Sequence, residues 1–255
     1  MTSFLDAIEF LTCVRLRRTQ AADMRRVAAS QAWFPLVGLL LGAALLGFDR
    51  LAQRALPEAS VDVLLVVLLA VLTGALHLDG LADAADGLLG GGDRQRRLEI
   101  MRDVHAGTYA VVAIAAVVAM KWAGLAALPP GVRFEALLLV PCLARWSMLV
   151  TSAAFPYARP DGMGAAFHER AWPVATIAGT ATALAASVAL LGVGGVLALA
   201  FAAGCALAAG VVAKRAVGGM TGDLYGATIE ISEALLLLCI AALANRGWIG
   251  AWLLR

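Results

Sequence analysis

The sequence predicts an all-α fold: a polytopic bundle of about six to seven transmembrane helices, built as a single integral membrane domain over residues 1–255 with its N-terminus in the cytoplasm. Three observations predict it. Apolar residues make up 62% of the chain and charged residues only 15%, too dry a balance for the solvated surface of a soluble domain of this length. The apolar residues arrive in long Ala/Leu/Val runs without alternation, which suits helices rather than the strands of a closed barrel. Lys and Arg then fall mostly on one side of those runs, as the positive-inside bias requires.

A span needs about 20 mostly apolar residues to cross about 30 Å of hydrocarbon. In chain order the candidate spans are 33–48, 61–78, 109–128, 135–155, 172–190, 195–213 and 233–253. The first is short and the last is interrupted by Asn245 and Arg246, so the count is seven with six as the alternative. Ahead of them lies a cytoplasmic segment, residues 1–31, in which Phe4, Ile8 and Leu11 share one helical face with Asp6 and Glu9 among them. The basic residues follow this stretch rather than precede it. That order differs from a secretory signal and suits either an amphipathic helix at the interface or a helix packed on the bundle.

With the N-terminus inside, the cytoplasmic segments hold thirteen Lys and Arg residues against five on the opposite face. Lys121 and Arg145 fall within or near the ends of spans. A formal net charge of +2 and the lack of a basic stripe with interleaved aromatics speak against a nucleic-acid partner, which leaves the lipid bilayer. Small residues occur throughout the spans, so an oligomer is compatible with the sequence but not readable from it. Cys13, Cys142, Cys205 and Cys239 are scattered and read as small apolar side chains, not as a disulfide or metal framework.

The same walk puts segments 79–108, 156–171 and 214–232 on the cytoplasmic side, where they carry most of the acids and several Gly-rich turns. They are the expected active-site segments. In the first, Asp79, Asp83 and Asp86 are spaced i, i+4, i+7, which stacks three carboxylates on one helix face. Like charges so placed repel unless something positive lies between them. A hard divalent cation such as Mg²⁺ takes oxygen ligands and is commonly shared between carboxylates and substrate phosphates. The competing reading is a solvated helix end. Gly90, Gly91 and Gly92 follow, then Arg94, Arg96 and Arg97; glycines admit backbone N–H groups to a phosphate and arginines clamp it, or else the stretch is a helix stop with positive-inside charge.

A second acidic group follows Gly218-Gly219-Met220-Thr221-Gly222: Asp223, Glu230 and Glu233 again share helical spacing. Glu233 stands where an apolar run begins and should have a partner, such as a metal, an arginine or a proton. Arg145, inside a span beside Trp146, either pairs with an acid or binds a substrate phosphate. The stiff turn Phe155-Pro156-Tyr157-Ala158-Arg159-Pro160-Asp161-Gly162 presents Arg159 and Asp161 at the cytoplasmic face. For His77, His105 and His168 a structural role is at least as well supported as catalysis.

The string HLDGLADAADGLLGG…DRQRRLEIMRD, then GTYAV, the ARW containing Arg145, FPYARPDG and GGMTGDLYGA resembles the cobalamin synthase (adenosylcobinamide-GDP ribazoletransferase) family from about Phe4 to Glu233. The chain departs from that family's pattern at His105, Ala106 and Ile229. The resemblance implies a bacterial inner-membrane enzyme that joins α-ribazole, or its 5′-phosphate, to adenosylcobinamide-GDP and releases GMP with Mg²⁺. On that basis Asp79, Asp83 and Asp86 are expected to hold Mg²⁺ against the diphosphate. Asp223 and Glu230 are expected to complete a second metal site or accept the proton of the attacking ribose hydroxyl. Arg96, Arg145 and Arg159, with Gly91, Gly92 and Thr221, are the candidate substrate contacts. The acidic helix is also similar to that of CDP-alcohol phosphotransferases, so a lipid-alcohol phosphotransferase is the rival enzyme, and a cation- or proton-coupled transporter the rival from another class.

Overall fold

The computed structural model describes residues 2–16, 28–159 and 172–249. Arg17, Arg18, Arg25, Arg26, Asp161, His168, Arg170 and Arg255, all named above or counted in the charge bias, lie outside the described residues. Among the described residues ten α-helices follow in order: α1 (Thr2–Leu11), α2 (Phe34–Ala52), α3 (Glu58–Leu72), α4 (Leu76–Leu89), α5 (Arg94–Ile100), α6 (Thr108–Ala126), α7 (Pro130–Ala154), α8 (Trp172–Leu191), α9 (Val193–Val217) and α10 (Gly222–Asn245). Among the described residues no strand is formed; one isolated parallel bridge joins Tyr157 and Met220.

Among the described residues six helical segments are long and apolar enough to cross a membrane: Ala28–Ala52, Thr108–Ala126, Pro130–Ala154, Pro173–Leu191, Val193–Val217 and Gly222–Asn245. The chain is a multi-pass membrane protein. The run read as a second span, 61–78, is broken: α3 and α4 meet at 90°, and the pair counts as a seventh crossing only if taken together. The break lies at Gly74 and Ala75, both at positive φ (61° and 56°), a backbone that costs a residue with a Cβ and ends the α3 helix. The last span also differs from the hydropathy reading of 233–253. It starts at Gly222, because Thr221 caps it and because Glu230 and Glu233 find partners inside the protein.

α7 is the central helix. Of its most apolar window 83% is buried, against 28% for α6 and for α9, whose outer faces remain open to lipid. It packs on α2, α8, α9 and α10. Its approach to α2 is close because α2 carries Gly38 and Gly42 four residues apart: a Cβ there would collide with the backbone of α7 at Pro141 and at Leu137. Hydrocarbon gives no hydrophobic drive between helices, so contact of this kind rests on van der Waals packing that small residues permit. At one end of the bundle Arg133 of α7 pairs with Asp49 of α2 (2.8 Å) and Asp62 of α3 (2.6 Å), all three buried. α1 lies on the bundle: Phe10 stacks on Phe34 at 5.7 Å, and Ala7 and Leu11 are fully buried. This is the packed-helix alternative of the two read for the N-terminal segment.

Candidate active site

The opposite end of the bundle gathers the polar segments. Ala158 N donates to Met220 O (2.7 Å) and Met220 N to Pro156 O (2.8 Å), so the 155–159 turn is sewn to the turn before α10. Arg94 adds a bond from its guanidinium to Ala158 O (3.1 Å), which fastens α5 to the same seam. A Cβ at Gly219 would strike Pro156, so only glycine permits that approach. Arg159 is thereby brought to Asp223, with Nη2 2.8 Å from Oδ2.

α4 lies along the start of α10, where Gly80 and Gly226 face each other. A Cβ on Gly80 would meet the Asp223 backbone, and one on Gly226 would meet His77. This contact carries Asp79 and Asp83 to Asp223. Asp83, half-buried, sits in the field of Asp223, Asp79 and Asp86, with Arg159 as the opposing charge. Asp83 has no ion-pair partner among the described residues. The two acidic groups, far apart in sequence, thus share one site with one arginine.

The other candidates separate into distinct roles. Asp86 spends its carboxylate on backbone: it accepts from Gly107 N (2.6 Å) and Ala110 N (3.0 Å), capping α6 from another helix. Thr221 caps α10 by accepting from Leu224 N (3.2 Å), and its hydroxyl also reaches Asp223 (3.3 Å). Gly91 and Gly92, at φ 82° and 94°, make the turn from α4 into α5. Arg97 ties that turn down by donating to Gly92 O (3.0 Å) and Leu88 O. Arg96 points outward to Glu99 at 3.4 Å and does not join the acids. His105 contacts Asp103 at 2.7 Å on the exposed surface and holds that carboxyl below its usual range.

Arg145 and Glu230 lie deeper, apart from the Asp79–Asp83–Asp223 group. Glu233 pairs with both Arg145 and Lys121, and Lys121 also bonds Glu230 at 2.6 Å. All four side chains are at most 6% exposed, and His77 is buried nearby with its Nε2 lacking a hydrogen-bond partner among the described residues. Glu233 therefore has two cationic partners where the sequence required at least one. Lys121 received no role from the sequence, although a lysine within an apolar run was itself the signal. Arg102 also received no role, whereas Arg94 stood among the arginines read as a phosphate clamp. They line a cleft of about 620 Å³ beside Arg159, whereas their neighbour Arg96 does not.

A cation would suit the Asp79–Asp83–Asp223 group, since its carboxylates are hard oxygen ligands and one guanidinium offsets several charges. Among the described residues no three His, Cys, Asp or Glu side chains already converge on one point. Mg²⁺ does not demand such a cage, being bound usually through one or two carboxylates with waters and substrate phosphates.

The profile of the cobalamin-5-phosphate synthase family matches residues 3–241. An adenosylcobinamide-GDP ribazoletransferase of Syntrophobacter fumaroxidans is 42% identical over 94% of this chain and 98% of its own length. Enzymes of the same name from Geotalea daltonii (35%, over 94% of this chain and 97% of its own) and Stutzerimonas stutzeri (37%, over 96% and 100%) are similar throughout. No solved structure matches the chain. With the match running from the first helix through most of the last, the chain belongs to the cobalamin-5-phosphate synthase family.

Proposed function

We propose that the protein is an inner-membrane transferase whose site faces the cytoplasm, and that it joins α-ribazole, or its 5′-phosphate, to adenosylcobinamide-GDP with release of GMP. The observation that carries this reading is the meeting of Asp79 and Asp83 with Asp223 and Arg159 at one end of the bundle, in a chain of this family. Substitution at a diphosphate needs positioning and charge neutralisation more than covalent chemistry, and that is what carboxylates, a cation and arginines supply. The ribose hydroxyl attacks the phosphorus that bears the cobinamide. The bond from that phosphorus to the bridging oxygen breaks, and GMP leaves with the electron pair.

Asp79, Asp83 and Asp223 are the residues that would hold Mg²⁺, which when bound neutralises the diphosphate charge. Asp83, half-buried and without an ion pair among the described residues, receives the hydroxyl proton on a carboxylate oxygen that the metal would leave free. Arg159, fixed by Asp223, presents its guanidinium to the phosphates. Asp86 and Thr221 hold the first turns of α6 and α10 in place, and Glu230 and Arg145 act through the internal charge cluster. The thirteen-to-five Lys/Arg bias supports the cytoplasmic orientation.

The test is GMP release by purified protein in liposomes given adenosylcobinamide-GDP, α-ribazole and Mg²⁺. GMP matched by joined corrinoid, and abolished by EDTA, is the expected result. Folded protein that yields neither, but turns over a CDP-linked lipid with an alcohol, would overturn it.

A further inference from the structure

We propose that the cleft beside Arg159 seats the guanylate half of the substrate, with Arg94 and Arg102 holding its phosphate and Glu99 reading its base. The assignment rests on the ribazole-transfer reaction proposed above. The cleft measures about 620 Å³, within the few-hundred to ~1,000 Å³ range of small-molecule sites. Its polar lining is Asp93, Arg94, Gln95, Glu99, Arg102 and Arg159.

All three arginines have donors to spare. Arg102 is exposed and makes no ion pair among the described residues. Arg94 commits one nitrogen to Ala158 O. Arg159 gives Nη2 to Asp223 while its Nε is buried without an acceptor among the described residues. Arg159 belongs to both places: it lines the cleft and pairs with the acidic group. A ligand there would have its phosphate end at Arg159, next to the carboxylates, and its other end along α5. That is the arrangement a diphosphate needs when one half stays at the reacting phosphorus and the other leaves.

The acids of the cleft suggest which base leaves with it. Asp93 is occupied as the cap of α5, accepting from Arg96 N at 2.9 Å. Glu99 is held at its carboxylate by Gln95 (3.2 Å) and Arg96 (3.4 Å) and stays half-exposed. Guanine offers two adjacent donors, N1–H and the N2 amine, which a carboxylate accepts together. Adenine offers a bare N1 lone pair that a carboxylate repels, so Glu99 discriminates by an unfavourable contact as well as a favourable one.

The experiment is equilibrium binding of GMP, AMP and inorganic phosphate to the full-length protein in nanodiscs, in wild type, Arg102→Gln, Arg94→Gln and Glu99→Gln, with corrinoid formation measured in parallel. Arg102 is exposed and unpaired, so its variant should fold normally even if Arg94→Gln loosens the seam. Expected are GMP binding tighter than AMP, a loss of GMP affinity of about tenfold or more in Arg102→Gln, and a collapse of the GMP-over-AMP preference in Glu99→Gln. Wild-type-like GMP binding in both arginine variants, in a preparation whose wild type makes the joined corrinoid, overturns the cleft assignment and leaves the reaction standing. Arg102-dependent GMP binding by a wild type that makes no corrinoid product supports the seat and overturns the reaction. Equal GMP and AMP affinities in the wild type overturn the role of Glu99.

Discussion

At the scale of single residues, the same kind of side chain does opposite work at two depths. Asp83 stands among other carboxylates at the open end of the bundle, whereas Glu233 is enclosed between Lys121 and Arg145. Replacing Asp83 with Asn should lower turnover by about 100-fold or more while the protein still inserts and unfolds at the wild-type temperature, because it removes a group that acts on charge in the reaction. Activity and thermal melting of the same preparation check this, and wild-type turnover would sink it. Glu233→Gln should behave the other way. It leaves two buried cations with one carboxylate between them, a loss of about 3–5 kcal/mol of stability expected for a broken buried pair. A melting shift that is absent in Glu233→Gln would remove the structural role of the cluster. Replacing Lys121 with Met in that variant should recover part of the loss by removing one of the uncompensated charges.

At the scale of elements, the site depends on how close α4 comes to α10. Gly80 and Gly226 set that distance, since a side chain on either would meet the backbone opposite. Gly226→Val should separate the helices, at a cost of about 1–3 kcal/mol for overpacking, and should lower activity more than it lowers stability because Asp79 and Asp83 then move away from Asp223. Activity assayed well below the melting temperature separates the two effects. Asp86→Ala tests the other end of α4. It removes a cap from α6, so destabilisation by about 0.5–2 kcal/mol is expected, and an unchanged melting temperature would argue that Asp86 serves the reaction directly.

At the scale of the whole molecule, one end of the bundle is closed by Arg133, Asp49 and Asp62, and the other gathers α4, α5, the 155–159 turn and the turn before α10. The charge bias supports the proposal that the second end faces the cytoplasm. A cysteine replacing Gln95, in a background freed of the four native cysteines, should react with an impermeant maleimide only in inside-out vesicles, and one replacing Arg54 only in right-side-out vesicles. Labelling in the reverse pattern would turn the topology over.

Composition and run length were enough to read a helical membrane bundle, because hydrocarbon admits only helices or closed barrels and these runs of about 20 apolar residues lack the alternation of barrel strands. The acidic helix face at Asp79, Asp83 and Asp86 was legible for a similar reason: helical periodicity is a local property of the chain. The start of the last span at Gly222 was not, since hydropathy penalises Glu230 and Glu233 without knowing that Lys121 and Arg145 neutralise them from other helices. Nor did spacing distinguish Asp83, which faces Asp223, from Asp86, which caps α6, or Arg94 and Arg102 on the cleft from Arg96 on the surface. Sequence by itself determined the fold class and the chemistry on offer. Tertiary packing alone decided which charges meet, because a partner in a buried pair is chosen by proximity in space, and here those partners lie 64 to 112 residues apart along the chain.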